Sequence, residues 1–381
     1  MKDLNKYKGC LIGGAIGDAL GYPVEFMKYA EIINRFGRKG ITEYILDDDV
    51  ARISDDTQMT LFTATGFLLG ETRGCVSGIM GHPWDYVWLS YKDWYRTQTE
   101  DFPIKGTHFS WLDDLPELYS RRAPGLTCLS VLSSDTSGSV EKPINSSKGC
   151  GGVMRVAPIG LYYGEKNHYK IEDAEVVGAE VAALTHGHPL GYIPAEGLVH
   201  IIALLAHNDM TIEEAVNDMR ECLYRKYYEK QHNHITEFIN MIDNAIGLAK
   251  DKRISAPEAI HKLGEGWVAE EALAISIFCA LRYSTDFEKA IIAAVNHDGD
   301  SDSTGSITGN IVGANLGLSA IPEKFIKKLE LRDVILEIAE DLYQDCKIGD
   351  YIDSEDPDWE DKYWHNRKAQ RHSSRKENMT T

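Results

Sequence analysis

Gly9-Cys10-Leu11-Ile12-Gly13-Gly14-Ala15-Ile16-Gly17-Asp18-Ala19-Leu20-Gly21 sets a glycine at every fourth position of an apolar run. A glycine inside a helix costs roughly 1 kcal/mol relative to alanine, so a regular series of four calls for a reason. A spacing of four keeps the glycines on one slowly drifting helix stripe, and a stripe without side chains lets another backbone come close. The same spacing recurs at Gly305, Gly309, Gly313 and Gly317, with Ile307, Ile311 and Val312 between them. The pattern predicts two tightly packed central helices, each a candidate partner for the other.

Helical spacing of apolar residues also marks 57–70, 83–96, 174–185, 191–206, 211–227 and 235–250, then 256–263, 268–283, 286–295 and 322–345. Thr211-Ile212-Glu213-Glu214 and Ser255-Ala256-Pro257-Glu258 have the form of helix starts. No series of alternating strands is present, and 40–46 is the one short extended candidate. The stretch 99–148 is broken by proline and glycine, and loops of that length usually carry function or disorder. The polar, basic tail from 366 to 381 is expected to be disordered. The strong motifs run from residue 9 to residue 305 and favour one large domain over 1–365.

Acidic residues sit against both glycine series. Asp18 lies inside the first and Glu25 just beyond it. His297-Asp298-Gly299-Asp300-Ser301-Asp302-Ser303-Thr304 opens the second. A further cluster, Ser54-Asp55-Asp56-Thr57, precedes another helical run. Helix capping accounts for the upstream cluster taken alone. It accounts for one acidic residue of the downstream cluster but not for three carboxylates in five positions, which repel one another without a cation or full exposure. Asp55, Asp56 and Thr57 with Asp300, Asp302 and Ser303 offer the oxygen ligands that Mg²⁺ takes. Two such clusters facing each other could hold two ions and activate water. The EF-hand spacing is absent.

Gly149-Cys150-Gly151-Gly152-Val153-Met154-Arg155 could turn backbone N–H groups toward an anion, though it is neither a Walker nor a Rossmann motif. In Thr185-His186-Gly187-His188-Pro189, His186 is a candidate ligand contact and His188 a candidate cap for the preceding helix end.

The formal net charge of −19 disfavours nucleic acid as a partner. The seven cysteines are scattered, with no Cys-x-x-Cys pair. Reduced thiols in a cytoplasmic protein are expected, without a disulfide framework or zinc site. The N-terminus lacks a signal-peptide layout, and the longest apolar run reads as too short to span a bilayer.

With these residues in hand, the chain resembles the ADP-ribosylglycohydrolase family, which includes the dinitrogenase-reductase-activating glycohydrolase and the vertebrate ADP-ribosyl hydrolases. The resemblance rests on Gly9–Glu25, Ser54–Thr60, Gly149–Gly160, Thr185–Tyr192, Gly264–Leu273 and His297–Gly317, in family order. It implies an all-α orthogonal multi-helix bundle with two Mg²⁺ ions, or Mn²⁺ in their place, at the base of a cleft. Asp55, Asp56 and Thr57 match the first metal motif; Asp300, Asp302 and Ser303 match the second. Glu25 matches an acidic residue on a loop that contacts or gates the site. Ser146, Ser147, Lys148, Gly149, Cys150 and Gly151 fall in the segment that wraps the diphosphate and distal ribose. His186 falls at a ligand contact, and Trp267 on a loop bordering the cleft.

Many members have Asn at the position of Cys150 and an aromatic residue at that of Lys148. The Cys form, with Ser301 and Ser303, is most similar to the branch acting on ADP-ribosylated arginine. The branch directed at serine and poly(ADP-ribose) usually has Thr at those two positions. The resemblance thus implies Mg²⁺-dependent cleavage of the N-glycosidic bond between ADP-ribose and arginine, with an ADP-ribosylated protein or ADP-ribosylarginine as partner. Asp55, Asp56, Asp302 or Glu25 would orient or deprotonate water. The alternatives are an O-linked substrate, a non-catalytic ADP-ribose-binding protein on the same fold, and an unrelated Mg²⁺-dependent phosphohydrolase.

Overall fold

Asp3 accepts a hydrogen bond from the Asn5 amide at 2.9 Å and so starts the first glycine-spaced helix, α1, Leu4–Gly21. The computed structural model describes residues 3–79, 81–164, 170–349 and 356–365. The expected disordered tail, 366–381, lies outside the described residues. After α1 come α2 (Tyr29–Phe36), α3 (Asp55–Ser77), α4 (Pro83–Thr99), α5 (Leu126–Leu132) and α6 (Ala157–Tyr162). Next are α7 (Ile171–Ala183), α8 (Pro189–His207), α9 (Ile212–Tyr227), α10 (His232–Lys250), α11 (Ala256–Leu263) and α12 (Ala269–Arg282). The series ends with α13 (Phe287–Val295), α14 (Ser301–Leu316), α15 (Glu323–Ile326), α16 (Arg332–Gln344) and α17 (Pro357–Glu360). The described residues contain no β-strand, and the fold is all-α.

The two glycine series pack against each other. Helices α1 and α14 run antiparallel, with Gly9 against Gly313, Gly13 against Gly309, Gly17 against Gly305, and Gly21 against Ser301. A Cβ on any of these α1 glycines would overlap the carbonyl oxygen of its partner. Gly317 still lies against Gly9 but ends α14 at φ 78°, beside the Asn5 side chain. This register carries Asp18 and Glu25 to the start of α14, where Asp300 and Asp302 stand.

Several boundaries differ from the sequence reading. Residues 40–46 form no strand; the extended contacts are isolated bridges, Asp47 with Val50 and Ala51 with Leu329. The expected helix 322–345 is broken between α15 and α16. Ala51 N donates to Lys328 O at 2.7 Å and Glu330 N to Ala51 O at 3.0 Å, so the backbone there is engaged elsewhere. Leu331 turns to φ 53°. The stretch 99–148 has only two 3₁₀ turns and the short α5. Helix α8 corrects the reading that no apolar run is long enough for a bilayer: its 19 residues pass on length and composition, but 94% of that window is buried inside the bundle. One hydrophobic core runs from Tyr7 to Tyr363.

Candidate active site

Four segments converge on a cavity of about 530 Å³. Asp55 and Asp56 open α3, Asp300 caps α14 with Asp302 in its first turn, Glu25 follows α1, and Gly149–Gly151 closes the far side. Helix N-termini carry partial positive charge and favour carboxylates beside them. That offsets only part of the cost of gathering these acids out of water, since Asp56 and Asp302 are each 2% exposed.

Asp18 anchors the first cluster from below. Its carboxylate accepts from Ser54 N at 3.0 Å and Thr57 N at 3.1 Å, and the Thr57 hydroxyl also donates to it. Thr57 thereby gives its proton to Asp18, leaving the oxygen lone pairs for a cation. Glu330, 4% exposed, holds the other flank. It accepts from Ile53 N at 3.2 Å, from Arg52 at 2.8 Å and from Arg122. Arg122 in turn donates to Ile53 O at 2.8 Å and accepts Asp55 N on its own carbonyl at 3.3 Å. Asp55 receives Gly125 N at 3.1 Å. On the other helix, Asp300 and Asp302 accept from Ser303 N at 3.3 and 3.0 Å.

The donor set fits a hard divalent cation. Glu25, Asp300 and Asp302 each bring an oxygen within 4.8 Å of the others. Glu25 Oε2 and Asp56 Oδ1 are buried and have no hydrogen-bond partner among the described residues. Burial, followed by the Asp302, Asp300 and Asp55 charges, pushes Glu25 up to about 11. Burial, then Asp18, pushes Asp302 up to about 7. Burial raises Asp18 to about 6, against the pull of its Thr57 and Ser54 hydrogen bonds. Asp55, Asp56 and Asp300 are raised well above the carboxylate range, with burial first and neighbouring carboxylates contributing. A bound cation inverts this balance and favours the ionised forms.

The pH dependence follows in sign. Carboxylates whose folded values lie above their unfolded ones stabilise the metal-free fold only while protonated. That contribution is complete below the unfolded values, about 4, and is lost as pH rises through 6–7 for Asp18 and Asp302. Thermal melts in chelator should therefore fall in Tm from pH 5 to pH 8, and the gain on adding a divalent cation should be larger at pH 8. Equal gains at both pH values would contradict this.

His186 lines the same cavity behind Gly149 and Gly151. Arg155, fully buried, donates to Val181 O at 3.1 Å and to Thr185 Oγ1 at 2.7 Å. Thr185 Oγ1 lies 2.8 Å from His186 Nδ1. The Thr185 hydroxyl thus bridges the Arg155 guanidinium and the imidazole, and His186 Nε2 lies on the glycine side. Burial, then Arg155, depresses His186 to about 3, which keeps the imidazole neutral. Burial and the facing Asp300 and Asp56 carboxylates raise the Cys150 thiol well above its ordinary value, which argues against a thiolate nucleophile.

Other expected residues are placed differently. Ser146, Ser147 and Lys148 are not among those lining the cavity. Lys148 pairs with the buried Glu270, and its carbonyl accepts Ala269 N at 2.9 Å. The cation at the cavity is Arg121, which the sequence reading passed over and which has no ion pair among the described residues. His188 caps the start of α8, accepting Leu190 N at 3.0 Å, and not the end of α7. Phe26 and Trp267 stack at the mouth with ring centroids 5.7 Å apart.

The family model described as ADP-ribosylglycohydrolase matches residues 1–350. The chain belongs to the ADP-ribosylglycohydrolase family. It is 28% identical over 341 residues to an uncharacterised protein of Archaeoglobus fulgidus, covering 89% of this chain and 96% of that one. To ADP-ribosylhydrolase ARH3 of Homo sapiens it is 21% identical over 351 residues, covering 86% and 90%. In fold it matches a solved chain described as an ADP-ribosylglycohydrolase-related protein complex. The TM-score is 0.61 at 22% identity, covering 90% of this chain and 98% of that one. As a family member the chain is an ADP-ribosyl glycohydrolase that acts on ADP-ribose linkages, and its acidic clusters suit the divalent metals the family uses.

Proposed function

We propose that this glycohydrolase is Mg²⁺-dependent and cleaves the bond between C1″ of ADP-ribose and a guanidinium nitrogen of arginine, reversing a protein modification in the cytoplasm. The observation that carries the reading is the meeting of Asp55 and Asp56 with Glu25, Asp300 and Asp302 around one cavity, where Glu25 Oε2 and Asp56 Oδ1 are buried without a partner among the described residues.

Asp55, Asp56, Thr57, Asp300, Asp302 and Ser303 would hold two Mg²⁺ ions, with Mn²⁺ as a substitute, in the oxygen-rich shell these hard ions take. When bound, they supply Lewis-acid polarisation and lower the pKa of water. The protein's own groups do the rest. Arg121 and the Gly149–Gly151 backbone face the diphosphate, and His186 presents its neutral imidazole on the same side. A carboxylate among Asp55, Asp56, Asp302 and Glu25 takes a proton from water as its oxygen adds to C1″. The C1″–N bond breaks with its electron pair passing to the guanidine nitrogen, which takes up the proton the carboxylate received from water. The surrounding carboxylates stabilise positive charge developing on the ribose, as in glycoside hydrolysis generally. The Cys150 form and the serines at 301 and 303 support arginine as the acceptor.

A substrate panel tests this. Arginine-, serine- and O-acetyl-linked ADP-ribose are each incubated with enzyme and Mg²⁺, with and without chelator. Free ADP-ribose should appear from the arginine substrate and stop on chelation. Release only from the O-linked substrates would move the specificity to that branch, and release of phosphate would remove the glycosidic assignment.

A further inference from the structure

Away from that site, α7, α8 and α9 enclose a second cavity of about 670 Å³ lined by Glu175, His200, Asp218, Cys222, Arg225 and Lys226, among others. We propose that His200, Asp218 and Cys222 form a second metal site, for a thiolate-binding divalent ion such as Zn²⁺, that ties α8 to α9.

Three observations carry it. First, His200 is 2% exposed and both ring nitrogens face carboxylates: Nδ1 lies 2.7 Å from Glu175 Oε1, and Nε2 2.9 Å from Asp218 Oδ1. A neutral imidazole that gives its one proton to Glu175 turns a lone pair toward a carboxylate oxygen. A positive charge, either a proton or a metal ion, has to stand between them. Second, Cys222 Sγ lies 3.6 Å from that same Asp218 oxygen, and the three donor atoms fall within 4.8 Å of one another. Zinc takes nitrogen and oxygen at about 2.0–2.2 Å and sulfur at about 2.3 Å, so tetrahedral ligands stand roughly 3.3–3.6 Å apart. The sulfur–oxygen separation matches, and the Asp218 side chain, 47% exposed, has room to open the other. Asp218 and Cys222 sit four residues apart on one face of α9. Third, Glu175 stands behind His200 as the carboxylate that orients a metal-bound imidazole. Lys226 fixes it, donating to Glu175 Oε2 at 3.2 Å and to the buried Glu196 at 2.6 Å.

Without a metal, a proton between His200 Nε2 and Asp218 and the Cys222 thiol proton are both directed at the same Asp218 oxygen, and a divalent ion held by the three residues would take the place of both protons. Burial, the largest influence, and Asp218 hold the Cys222 thiol above its ordinary value against the 3.4 Å hydrogen bond from Arg225, so a metal bound here has to displace the thiol proton. The imidazole and thiolate donors select zinc-like ions over Mg²⁺, so the two centres are chemically separable. The scattered cysteines gave no sign of this because only one of them is used, with its partners on two helices.

The test uses the full chain, stripped of metal and returned to excess Mg²⁺ before titration with Zn²⁺ or Co²⁺. One equivalent of Zn²⁺ should survive gel filtration. Co²⁺ should give thiolate charge-transfer absorption and the visible bands of a tetrahedral ion. Cys222→Ser should lose both while hydrolysing ADP-ribosylated substrate at the parent rate, and Asp218→Asn, on a half-exposed position, should report the same loss. Glu175→Gln should weaken Zn²⁺ binding by about 10–100-fold. If no zinc is retained by the parent, or if the retained zinc and the cobalt spectrum persist in folded Cys222→Ser, the proposal fails.

Discussion

Asp302→Ala is expected to lower kcat/KM for ADP-ribosylarginine on the order of 10²–10³-fold, the scale of losing one preorganised electrostatic group in an active site. The fold should survive. Asp302 sits at the start of α14 among Glu25, Asp300, Asp55 and Asp56, and its ionised form is opposed by burial first and then by the Asp18 and Asp55 charges. Removing it relieves repulsion in the metal-free protein, so the variant should melt in chelator no lower than the parent. The rise in Tm on adding Mg²⁺ should shrink at the same time. Circular dichroism melts with and without chelator, alongside turnover, check all three effects. A folded Asp302→Ala that keeps full turnover in Mg²⁺ would show that the cavity has been assigned wrongly.

The second large effect concerns the scaffold. Gly309→Ala adds a methyl where the Gly13 carbonyl lies, an obstacle of backbone that cannot swing aside. Alanine improves helix propensity by roughly 1 kcal/mol, yet overpacking typically costs about 1–3 kcal/mol, and more against a rigid neighbour. The loss should win, lowering stability and weakening metal binding together, because the α1–α14 register brings Glu25 to Asp302. Gly247→Ala is the internal control. Gly247 sits in α10 with nothing near its missing Cβ, so the same substitution should stabilise by about 0.5–1 kcal/mol. Chemical denaturation of both variants decides the point. Similar effects in the two would mean that the glycine contact does not set the packing.

The frame was readable because a glycine series with spacing four leaves few options: only another backbone can fill the stripe from Gly9 to Gly21. The partner series at Gly305–Gly313 follows from the same reasoning, but the antiparallel register does not, since that depends on which end of α1 meets Asp302. The candidate acids Asp300 and Asp302 were legible because three carboxylates in five positions are too many for capping, whereas capping alone accounted for Asp55 and Asp56, which stood out only as a second oxygen cluster that could face the first. Their supports were not. Asp18 reads as one more helical residue until its carboxylate is seen accepting from Ser54 and Thr57. Glu330 lies far along the chain from the Arg122 it grips. Lys148 carries the charge a diphosphate wants, yet the buried Glu270 holds it aside, and the less conspicuous Arg121 faces the cavity. Pairing between distant segments decides such roles, and spacing along the chain does not record it. The break at Leu331 has the same origin, since Ala51 engages the backbone that a continuous helix would need.

The most direct measurement is anomalous diffraction from crystals soaked in Mn²⁺. The account predicts manganese in the 530 Å³ cavity, bound by oxygens of both the Asp55–Thr57 segment and the Asp300–Ser303 segment. Manganese held by one segment only, or no ion in that cavity while hydrolysis continues, would contradict it.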